Sequence, residues 1–515
     1  MKKVVLILFA LIAFTGFSQK IKFKVTGEKD TTVFLVKYYG KGMYYADTAE
    51  MKKGIVEFKG SKQKQGVLAL LLSGQKYFDF IYDGGDVYLE TSGPEYVKNI
   101  VVKTSKENML FFDYVKLMNS CSLRAKEIND KKEKLPKDSP ENKLLVKDLE
   151  VISKEVNAYQ KKLISENPGS FVSKMVKMSM DITVPEAPKN PDGSLVDSNF
   201  AYHYYRDHYF DNIDLNDDRL ISTPSIFHNK LDFFFSNNML PPVPDTITKF
   251  AFRFCDNLNV KSEMYKYCVV HITSNYEKSN IMGMDKVFVK MGQRYYCVKN
   301  YKGKLQGSTN ISWMDSSKLE ELCKKVDINK NLVQGEIPPN ISLVDSTDTK
   351  WRDFYSLKAD YTILYFWDPE CGHCKKTTPK LGELYSKKLK GRNVEVYAVG
   401  KAVGEDYVKW KKFIKENNLN FINVALTDKL YKAALEDARQ FVPKYTSVEA
   451  LNYQETYDIY STPKIFVLDK DKKIIAKGLS ISQLEDMLDH YQGKKDAPKL
   501  FPPDPEEDEH VKETH

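Results

Sequence analysis

Cysteine and long apolar runs are both scarce in this 515-residue chain. With only seven cysteines, at least one must stay unpaired within the chain. Beyond the first residues, no stretch is apolar enough to span a bilayer. Basic runs and aromatic-basic stripes are also missing, and the formal net charge is only +8, from 78 basic and 70 acidic side chains. We therefore expect no nucleic-acid partner.

The first 18 residues have the layout of a secretory signal peptide. Two lysines precede an apolar run from Val4 to Phe14, and small residues follow up to Ser18. The run is short for a bilayer span, so an uncleaved anchor is the less favoured alternative. No cysteine occurs between this run and Cys121, so a lipoprotein attachment pattern is missing. We expect a protein that is cleaved after Ser18 or Gln19 and is then periplasmic or secreted and soluble.

The chain is too long for one hydrophobic core and predicts a multidomain fold. Short strands separated by glycine-bearing turns over residues 20–100 predict an N-terminal β-sandwich. Apolar residues then recur at three- and four-residue spacing, which predicts an antiparallel helical hairpin inside a helical middle domain, residues 103–332. A third domain covers residues 336–492. The acidic, proline-containing end, residues 493–515, has little to bury and is predicted to be disordered.

The third domain contains a Cys-x-x-Cys motif between a predicted buried strand and a predicted helix. The apolar run Tyr361–Trp367 leads to Cys371 and Cys374, and Lys375–Lys387 has a helical pattern. Free N–H groups and the dipole at a helix start favour negative charge, so Cys371 can be a thiolate near neutral pH. Cys374 lies one turn further on, in reach of a mixed disulfide on Cys371. The pattern predicts Cys371 as the nucleophile and Cys374 as the resolving thiol.

Two neighbours are expected to act on this thiolate in opposite directions. Gly372 and His373 separate the cysteines, and an imidazolium at His373 would lower the pKa of Cys371 and make the couple more oxidising. Glu370 would raise that pKa. A zinc site is not favoured, because a structural site needs a second ligand pair and the sequence has no other Cys-x-x-Cys.

The residues around the motif resemble the thioredoxin superfamily. Trp367 stands four residues before the first cysteine, Pro379 stands five after the second, and Ser461-Thr462-Pro463 precedes a predicted strand over Lys464–Leu468. The resemblance covers about residues 336–492 and implies a C-terminal α/β thioredoxin-like fold. It also implies a cis bond between Thr462 and Pro463, with both residues docking the substrate chain.

A long insertion makes this domain similar to the TlpA/ResA type of periplasmic thioredoxin. Residues 392–460 exceed what a minimal thioredoxin needs, and they contain helical patterns at Asp406–Glu416 and Lys429–Arg439. The whole layout is similar to multidomain TlpA-like proteins of Gram-negative bacteria, whose front domains are uncharacterised, so the resemblance implies no activity for the N-terminal and middle domains. One departure is Tyr365, which stands where thioredoxins often have a buried acid. We interpret it as a packing residue, because tyrosine is a poor base at neutral pH. The proton acceptor therefore stays open between water and His373.

The other five cysteines carry weaker signals. Cys121 and Cys323 fall in the apolar stripes of predicted helices and are expected to be buried and inert. An oxidising compartment would permit disulfides among Cys255, Cys268 and Cys297, whose connectivity the sequence leaves open. Four histidines of the middle domain were considered as metal ligands, but packing or surface roles are favoured, and no metal is predicted; these are His203, His208, His228 and His271.

The leading functional hypothesis is an exported thiol-disulfide oxidoreductase. It would reduce or exchange disulfides of extracytoplasmic proteins, use no bound cofactor beyond the redox-active Cys371-Cys374 pair, and receive electrons from an unidentified donor. Two alternatives are a ligand-binding or envelope protein that uses the thioredoxin fold as a scaffold, and a copper(I)-handling protein. Reductase, oxidase and isomerase directions all remain open, because the direction depends on the redox potential and the donor.

Overall fold

The architecture is given by a computed structural model that describes residues 19–236, 239–279, 281–503 and 505. The predicted signal peptide lies outside the described residues. The strands are β1 (Lys20–Thr26), β2 (Thr32–Tyr39), β3 (Gly42–Glu50), β4 (Ile55–Lys59), β5 (Gly66–Leu71), β6 (Tyr77–Tyr82), β7 (Val87–Ser92), β8 (Val101–Thr104), β9 (Cys297–Lys299), β10 (Leu305–Gly307), β11 (Ser342–Asp345), β12 (Trp351–Asp353), β13 (Tyr361–Trp367), β14 (Val394–Gly400), β15 (Ile422–Ala425), β16 (Lys464–Asp469) and β17 (Ile474–Lys477).

The helices are α1 (Lys106–Lys132), α2 (Pro140–Glu166), α3 (Phe171–Ser179), α4 (Phe200–His208), α5 (Ile226–Phe235), α6 (Pro244–Asp256), α7 (Glu263–Glu277), α8 (Asp285–Tyr295), α9 (Ser316–Asn329), α10 (Gly372–Leu384), α11 (Asp406–Glu416), α12 (Asp428–Asp437), α13 (Val448–Leu451), α14 (Tyr453–Thr456) and α15 (Ile481–Tyr491). Among the described residues, none of these helices combines the length and apolar character needed to cross a membrane.

The chain folds into two compact units. The first comprises the residues up to Leu240 together with Leu258–Tyr267, and the second comprises Pro241–Asn257 and the residues from Cys268 onward. The predicted middle domain, 103–332, is therefore divided between the two units. The multidomain fold class is confirmed, with strand-rich sheets first, helices in the middle and a mixed-sheet α/β domain at the end.

The first unit begins with two four-stranded sheets that share one core. Their strand orders are β4-β1-β7-β8 and β3-β2-β5-β6. Alternate residues of each sheet point inward, as expected for sheets with one solvated face, and Phe23 of β1 meets Phe80 of β6 with ring centroids 5.0 Å apart. Helices α1 and α2 follow as the expected hairpin, each capped by a serine, Ser105 and Ser139, that accepts a backbone N–H.

A disulfide in the second unit corrects one prediction. Cys297, at the start of β9, is bonded to Cys323 of α9, with the two Cα atoms 5.7 Å apart. Cys323 is therefore not an inert thiol, as its place in an apolar stripe suggested. Cys255 and Cys268, considered as possible partners for Cys297, are buried free thiols, and so is Cys121. A half-cystine packs like a small apolar side chain, so helical periodicity does not distinguish the two states.

A seven-stranded mixed sheet forms the centre of the C-terminal domain, in the order β12-β11-β15-β14-β13-β16-β17. Strand β13 is central, parallel to β14 and antiparallel to β16. Both of its faces are covered, which explains why its sequence is a continuous apolar run rather than an alternating one. Odd-numbered residues such as Ile363 pack with α10, α11 and α15, whereas Leu364 and Phe366 pack on the opposite face with α12 to α14.

The end of the chain is ordered further than predicted. Residues 493–515 were expected to be disordered, yet the backbone N–H of Leu500 donates to Glu485 at 2.9 Å, and Lys499 pairs with Asp489 at 2.9 Å. Leu500 and Phe501 pack against the core beside α15. The prediction is wrong for this part of the segment, because two apolar side chains and a buried carboxylate on α15 fix it. The acidic run that follows lies outside the described residues.

Candidate active site

The two cysteines of the motif lie where β13 meets α10, as the sequence predicted. Cys371 is the N-cap residue of α10, and its carbonyl accepts the N–H of Lys375 at 3.0 Å. Cys371 is partly exposed, whereas Cys374 is fully buried in the core on that face of the sheet. Only the first sulfur is therefore open to a substrate.

The environment of Cys371 favours its thiolate. Burial alone would raise the pKa of the thiol, but hydrogen bonds from the backbone N–H of Cys374, the Thr462 side chain, the Cys374 thiol and the backbone N–H of His373 outweigh it. The pKa of Cys371 consequently lies below the ordinary cysteine value. Hydrogen bonds to a charged form stabilise it in this way at helix starts.

The environment of Cys374 has the opposite effect. Its burial raises the pKa of the thiol to about 12, although the backbone N–H of Asp368, 3.5 Å from the Sγ atom, acts against this. The neighbouring Cys371 thiolate adds to the increase. Cys374 is therefore a thiol at neutral pH, and it needs a proton acceptor before it can attack.

The loop before β16 faces the cysteine pair. The peptide bond between Thr462 and Pro463 is cis, as the resemblance implied. The Thr462 carbonyl oxygen accepts a hydrogen bond from the Cys371 thiol at 3.2 Å. Thr462 and Pro463 are both partly exposed, so their backbone is open to a peptide that approaches Cys371.

The remaining predicted site residues lie on β13 and α10. Trp367 is buried and packs on Phe413 of α11 with ring centroids 5.2 Å apart. Pro379 lies inside α10. Gly372 and His373 are exposed in the first turn of that helix, and a Cβ at Gly372 would meet no atom within 4 Å. Space around the backbone therefore does not demand glycine at this position.

Tyr365 lies in the core under the motif. Its side chain is fully buried, and its hydroxyl shares a 2.7 Å hydrogen bond with Thr378 Oγ1 of α10. Packing with a satisfied hydroxyl agrees with the predicted structural role. The proton acceptor for Cys374 was left open between water and His373. The hydrogen bond of the Tyr365 hydroxyl to Thr378 gives no reason to assign that role to Tyr365.

An ion-pair network that the sequence did not predict borders the site. Glu370 pairs with Lys409 of α11 at 3.1 Å and with Lys375 at 3.6 Å, and these lysines lower the pKa of its carboxyl. Beside it, Lys401 bridges Asp368 at 3.1 Å and Asp406 at 3.0 Å. The sequence predicted that the negative charge of Glu370 would raise the pKa of Cys371. Two lysines pair with that carboxylate and offset its charge. Only the helical pattern of α11 could have hinted at this contact.

Lys464 is a second residue that the sequence did not single out. It follows Pro463 directly, and its Nζ donates to the carbonyl of Asp458 at 2.8 Å, across the loop that holds the cis bond. Burial lowers its pKa to about 8. Lysine is rarely buried in proteins, so a lysine at the first position of an apolar strand was the sequence feature that could have drawn attention to this residue.

Three family models match successive parts of the chain. Residues 359–474 match a thioredoxin-like family, residues 152–330 match a domain of unknown function, DUF5106, and residues 19–111 match another, DUF4369. The first match contains the whole strand, motif, helix and cis-proline arrangement. The other two matches assign the front and middle regions to families of unknown function, so they indicate no activity.

Three individual proteins are similar to about a third of this chain or more. The thiol-disulfide oxidoreductase ResA of Bacillus subtilis is 28% identical over 162 residues, 32% of this chain and 75% of the relative. A solved domain of a possible thiol-disulfide isomerase from Cytophaga hutchinsonii is 35% identical, with 32% of this chain and 97% of that one covered and a TM-score of 0.25. A solved thioredoxin-like protein from Bacteroides caccae is 17% identical, with 60% of this chain and 100% of that one covered and a TM-score of 0.40.

Proposed function

The C-terminal domain of this chain belongs to the thioredoxin-like thiol-disulfide oxidoreductases, and on that premise we propose an exported enzyme that reduces or exchanges disulfides of extracytoplasmic proteins. The observation that carries the proposal is the contrast between the two sulfurs. Cys371 is accessible and has a lowered pKa, whereas Cys374 is buried and has a raised one. That contrast suits a nucleophile and a resolving thiol.

In the reducing direction the chemistry takes two exchange steps. The Cys371 thiolate attacks one sulfur of the substrate disulfide, and the other substrate sulfur leaves as a thiolate that takes up a proton. Cys374 then loses its proton and attacks Cys371 Sγ, which releases the second substrate thiolate and leaves a Cys371-Cys374 disulfide. A dithiol donor would return two electrons and two protons to the enzyme. The oxidising direction is the reverse.

Thr462 and Pro463 are proposed to hold the substrate during these steps. The Thr462 carbonyl lies 3.2 Å from Cys371 Sγ, so a peptide bound along this backbone would bring its own sulfur to the nucleophile. Holding two reactants in contact replaces a bimolecular encounter by a near-unimolecular step. No bound cofactor enters the scheme.

Export is supported by two independent features. The first residues have the layout of a signal peptide, and the Cys297–Cys323 disulfide of the second unit would persist in an oxidising compartment but not in a reducing cytosol. The proposed site of action is therefore the periplasm or the cell exterior. Mass spectrometry of the mature amino terminus tests this, and an intact Met1 on protein recovered from the cytosol would contradict it.

The activity is tested with insulin as the disulfide substrate and dithiothreitol as the electron donor. We expect the wild-type protein to accelerate insulin reduction and Cys371→Ser to abolish turnover. Cys374→Ser should instead accumulate a mixed disulfide that appears on a non-reducing gel, because the resolving step is missing. Wild-type turnover in Cys371→Ser would show that the nucleophile is wrongly assigned.

A further inference from the structure

The segment that leads out of the middle domain pairs with the last strand of the seven-stranded sheet. The backbone N–H of Gly335 donates to the carbonyl of Ile474 at 2.8 Å, and the N–H of Ile474 donates to the carbonyl of Glu336 at 2.9 Å. Ile474 begins β17, which is an edge strand of the sheet, and an edge strand offers backbone groups to a further segment. This pairing joins the end of the middle domain to the strand beside β16.

The turn before α8 lies against the same segment. Gly283 has a φ of +83°, in the left-handed region that favours glycine, and a Cβ on it would lie 2.6 Å from Oε1 of Gln334. The side-chain amide of Gln334 donates to the carbonyl of Ile475 in β17 at 3.1 Å. The sequence Met282-Gly283-Met284-Asp285 therefore brings the start of α8 close to β17.

Asp285, the first residue of α8, forms an ion pair with Lys477 of β17. The same lysine Nζ donates to the carbonyl of Leu332 at 3.0 Å, so one ammonium contacts both the helix and the segment. The second carboxylate oxygen of Asp285, Oδ1, is buried and has no hydrogen-bond partner among the described residues. An unpaired buried oxygen costs stability, and a partly buried ion pair contributes little net stability. Anchoring the helix is therefore a weak explanation of this acid.

The Asp285–Lys477 pair also acts on Lys464, the residue directly after Pro463. Lys477 lies opposite Phe466 in the pairing of β16 with β17, and Lys464 is two residues before Phe466, on the same face of the sheet. Diagonal neighbours of this kind are within reach of long side chains. The Lys477 ammonium opposes a positive charge on Lys464, whereas the Asp285 carboxylate favours it. Asp285 thus offsets the repulsion between two lysines at the start of β16.

We propose that Asp285, in the part of the chain matched by DUF5106, is a positioning residue for the redox site. Its charge lets Lys464 keep its place, where Nζ donates to the carbonyl of Asp458 at 2.8 Å and braces the loop that contains Thr462. The carbonyl of Thr462 contacts Cys371 Sγ at 3.2 Å. This inference rests on the proposed function, in which that loop holds the substrate, and it gives the middle domain a part in substrate binding.

The experiment compares three variants of the full-length protein with wild type: Asp285→Asn, Asp285→Asn/Lys477→Met and Asp245→Asn. The first removes the charge that balances the lysines, and the second also removes one of the two lysines. Asp245→Asn is the matched control, because Asp245 pairs with a different lysine of α8, Lys286, at 2.7 Å. KM and kcat are measured with insulin at saturating dithiothreitol, and alkylation of Cys371 by iodoacetamide is measured at pH 7.

We expect Asp285→Asn to raise KM for insulin about threefold or more, with kcat and the alkylation rate within about twofold of wild type, because the nucleophile itself is unchanged. The double variant should return KM to the wild-type value, since a single lysine needs no balancing acid. Loss of a mere anchor would not be rescued by removing its partner. Asp245→Asn should keep the wild-type KM.

An unchanged KM in Asp285→Asn, or a double variant as impaired as Asp285→Asn, would overturn the inference while wild type remains active. If Asp285→Asn does not fold, the double variant decides: a folded protein with wild-type KM supports the inference, and an unfolded or impaired one overturns it. A wild type that is alkylated at Cys371 but reduces no insulin would refute the proposed function, and this inference with it.

Discussion

The Sγ atom of Cys371 lies 3.2 Å from the carbonyl oxygen of Thr462, on the opposite side of the site. Cys374, three residues further along the same motif, is instead buried against the sheet, where its sulfur lies 3.5 Å from the backbone N–H of Asp368. The two thiols of this motif thus lie in environments that shift their pKa values in opposite directions. The pKa of Cys371 falls, and that of Cys374 rises to about 12.

The first prediction concerns selective alkylation of the reduced protein. The thiolate is the reacting form, so a lowered pKa means more reaction at a given pH. Iodoacetamide should modify Cys371 with a half-maximal rate below pH 8.5, the ordinary midpoint for cysteine, while Cys374 stays unmodified up to about pH 10. Peptide mass spectrometry distinguishes the two sites. Equal labelling of both at pH 7 would contradict the assignment.

Most of this site could be predicted because its signals are local. A continuous apolar run, a Cys-x-x-Cys pair and a helical pattern follow one another in the sequence, and β13 has the predicted bounds Tyr361–Trp367. Helix α11 likewise covers the predicted Asp406–Glu416. Local patterns of this kind are set by burial periodicity, which the sequence displays directly.

The features that could not be predicted depend on contacts between distant residues. The Cys297–Cys323 bond joins residues 26 positions apart, and connectivity is not encoded in spacing. Lys409 pairs with Glu370 across 39 residues, and the backbone N–H of Leu500 donates to the carboxylate of Glu485, 15 residues earlier. In each case the two residues come together only in the folded chain, and the residues next to them in the sequence do not indicate the pairing.

The second prediction concerns the reduction potential. A positive charge beside the thiolate stabilises the dithiol state, so His373→Pro should make the couple less oxidising. A favourable charge at a helix start contributes roughly 0.3–1 kcal/mol, which corresponds to about 6–20 mV for two electrons. Equilibration against glutathione buffers measures the potential.

The controls for this prediction come from the ion-pair network. Glu370 is paired with Lys409 and Lys375, so Glu370→Gln should change the potential less than His373→Pro does. Lys409→Gln removes one compensating charge and should make the couple slightly less oxidising. A potential that stayed constant or rose in His373→Pro would refute the assigned role of His373, and the cysteine assignments would stand.

The third prediction concerns the Cys297–Cys323 disulfide. Closing a loop of 26 residues removes unfolded-state entropy equivalent to about 3.5 kcal/mol. Replacing both cysteines by alanine should therefore lower the free energy of unfolding of the second unit by about that amount. Urea denaturation followed by tryptophan fluorescence reports on this unit selectively, because all four tryptophans of the chain, Trp313, Trp351, Trp367 and Trp410, belong to it.

The comparison is made in a Cys371→Ser/Cys374→Ser background, so that the motif does not respond to redox conditions. Under reducing conditions the protein that keeps Cys297 and Cys323 should lose the same stability. Its unfolding free energy should then approach that of the alanine variant. A difference that persisted after reduction would show that packing of the two side chains, and not their covalent bond, supplies the stability.

The fourth prediction concerns Lys464, whose amine lies under the cis-proline loop. Its Nζ donates to the Asp458 carbonyl at 2.8 Å. Burial, opposed by Asp458 and Asp285 and assisted by Lys477, lowers the pKa of this amine to a net value of about 8. An unfolded lysine titrates near 10.4, so between about pH 8 and 10 the unfolded chain binds more protons than the folded one. The free energy of unfolding should therefore rise with pH in this window.

Lys464→Met removes this titration and supplies the test. We expect the difference in unfolding free energy, wild type minus Lys464→Met, to increase by about 2 kcal/mol between pH 7 and pH 9.5. Tryptophan fluorescence again reports on the unit that contains the site. The matched control is Lys470→Met, an exposed lysine in the turn after β16, which should show no such increase. A pH-independent difference for Lys464→Met would mean that the amine reaches solvent in the folded state and does not brace the loop that carries Thr462 and Pro463.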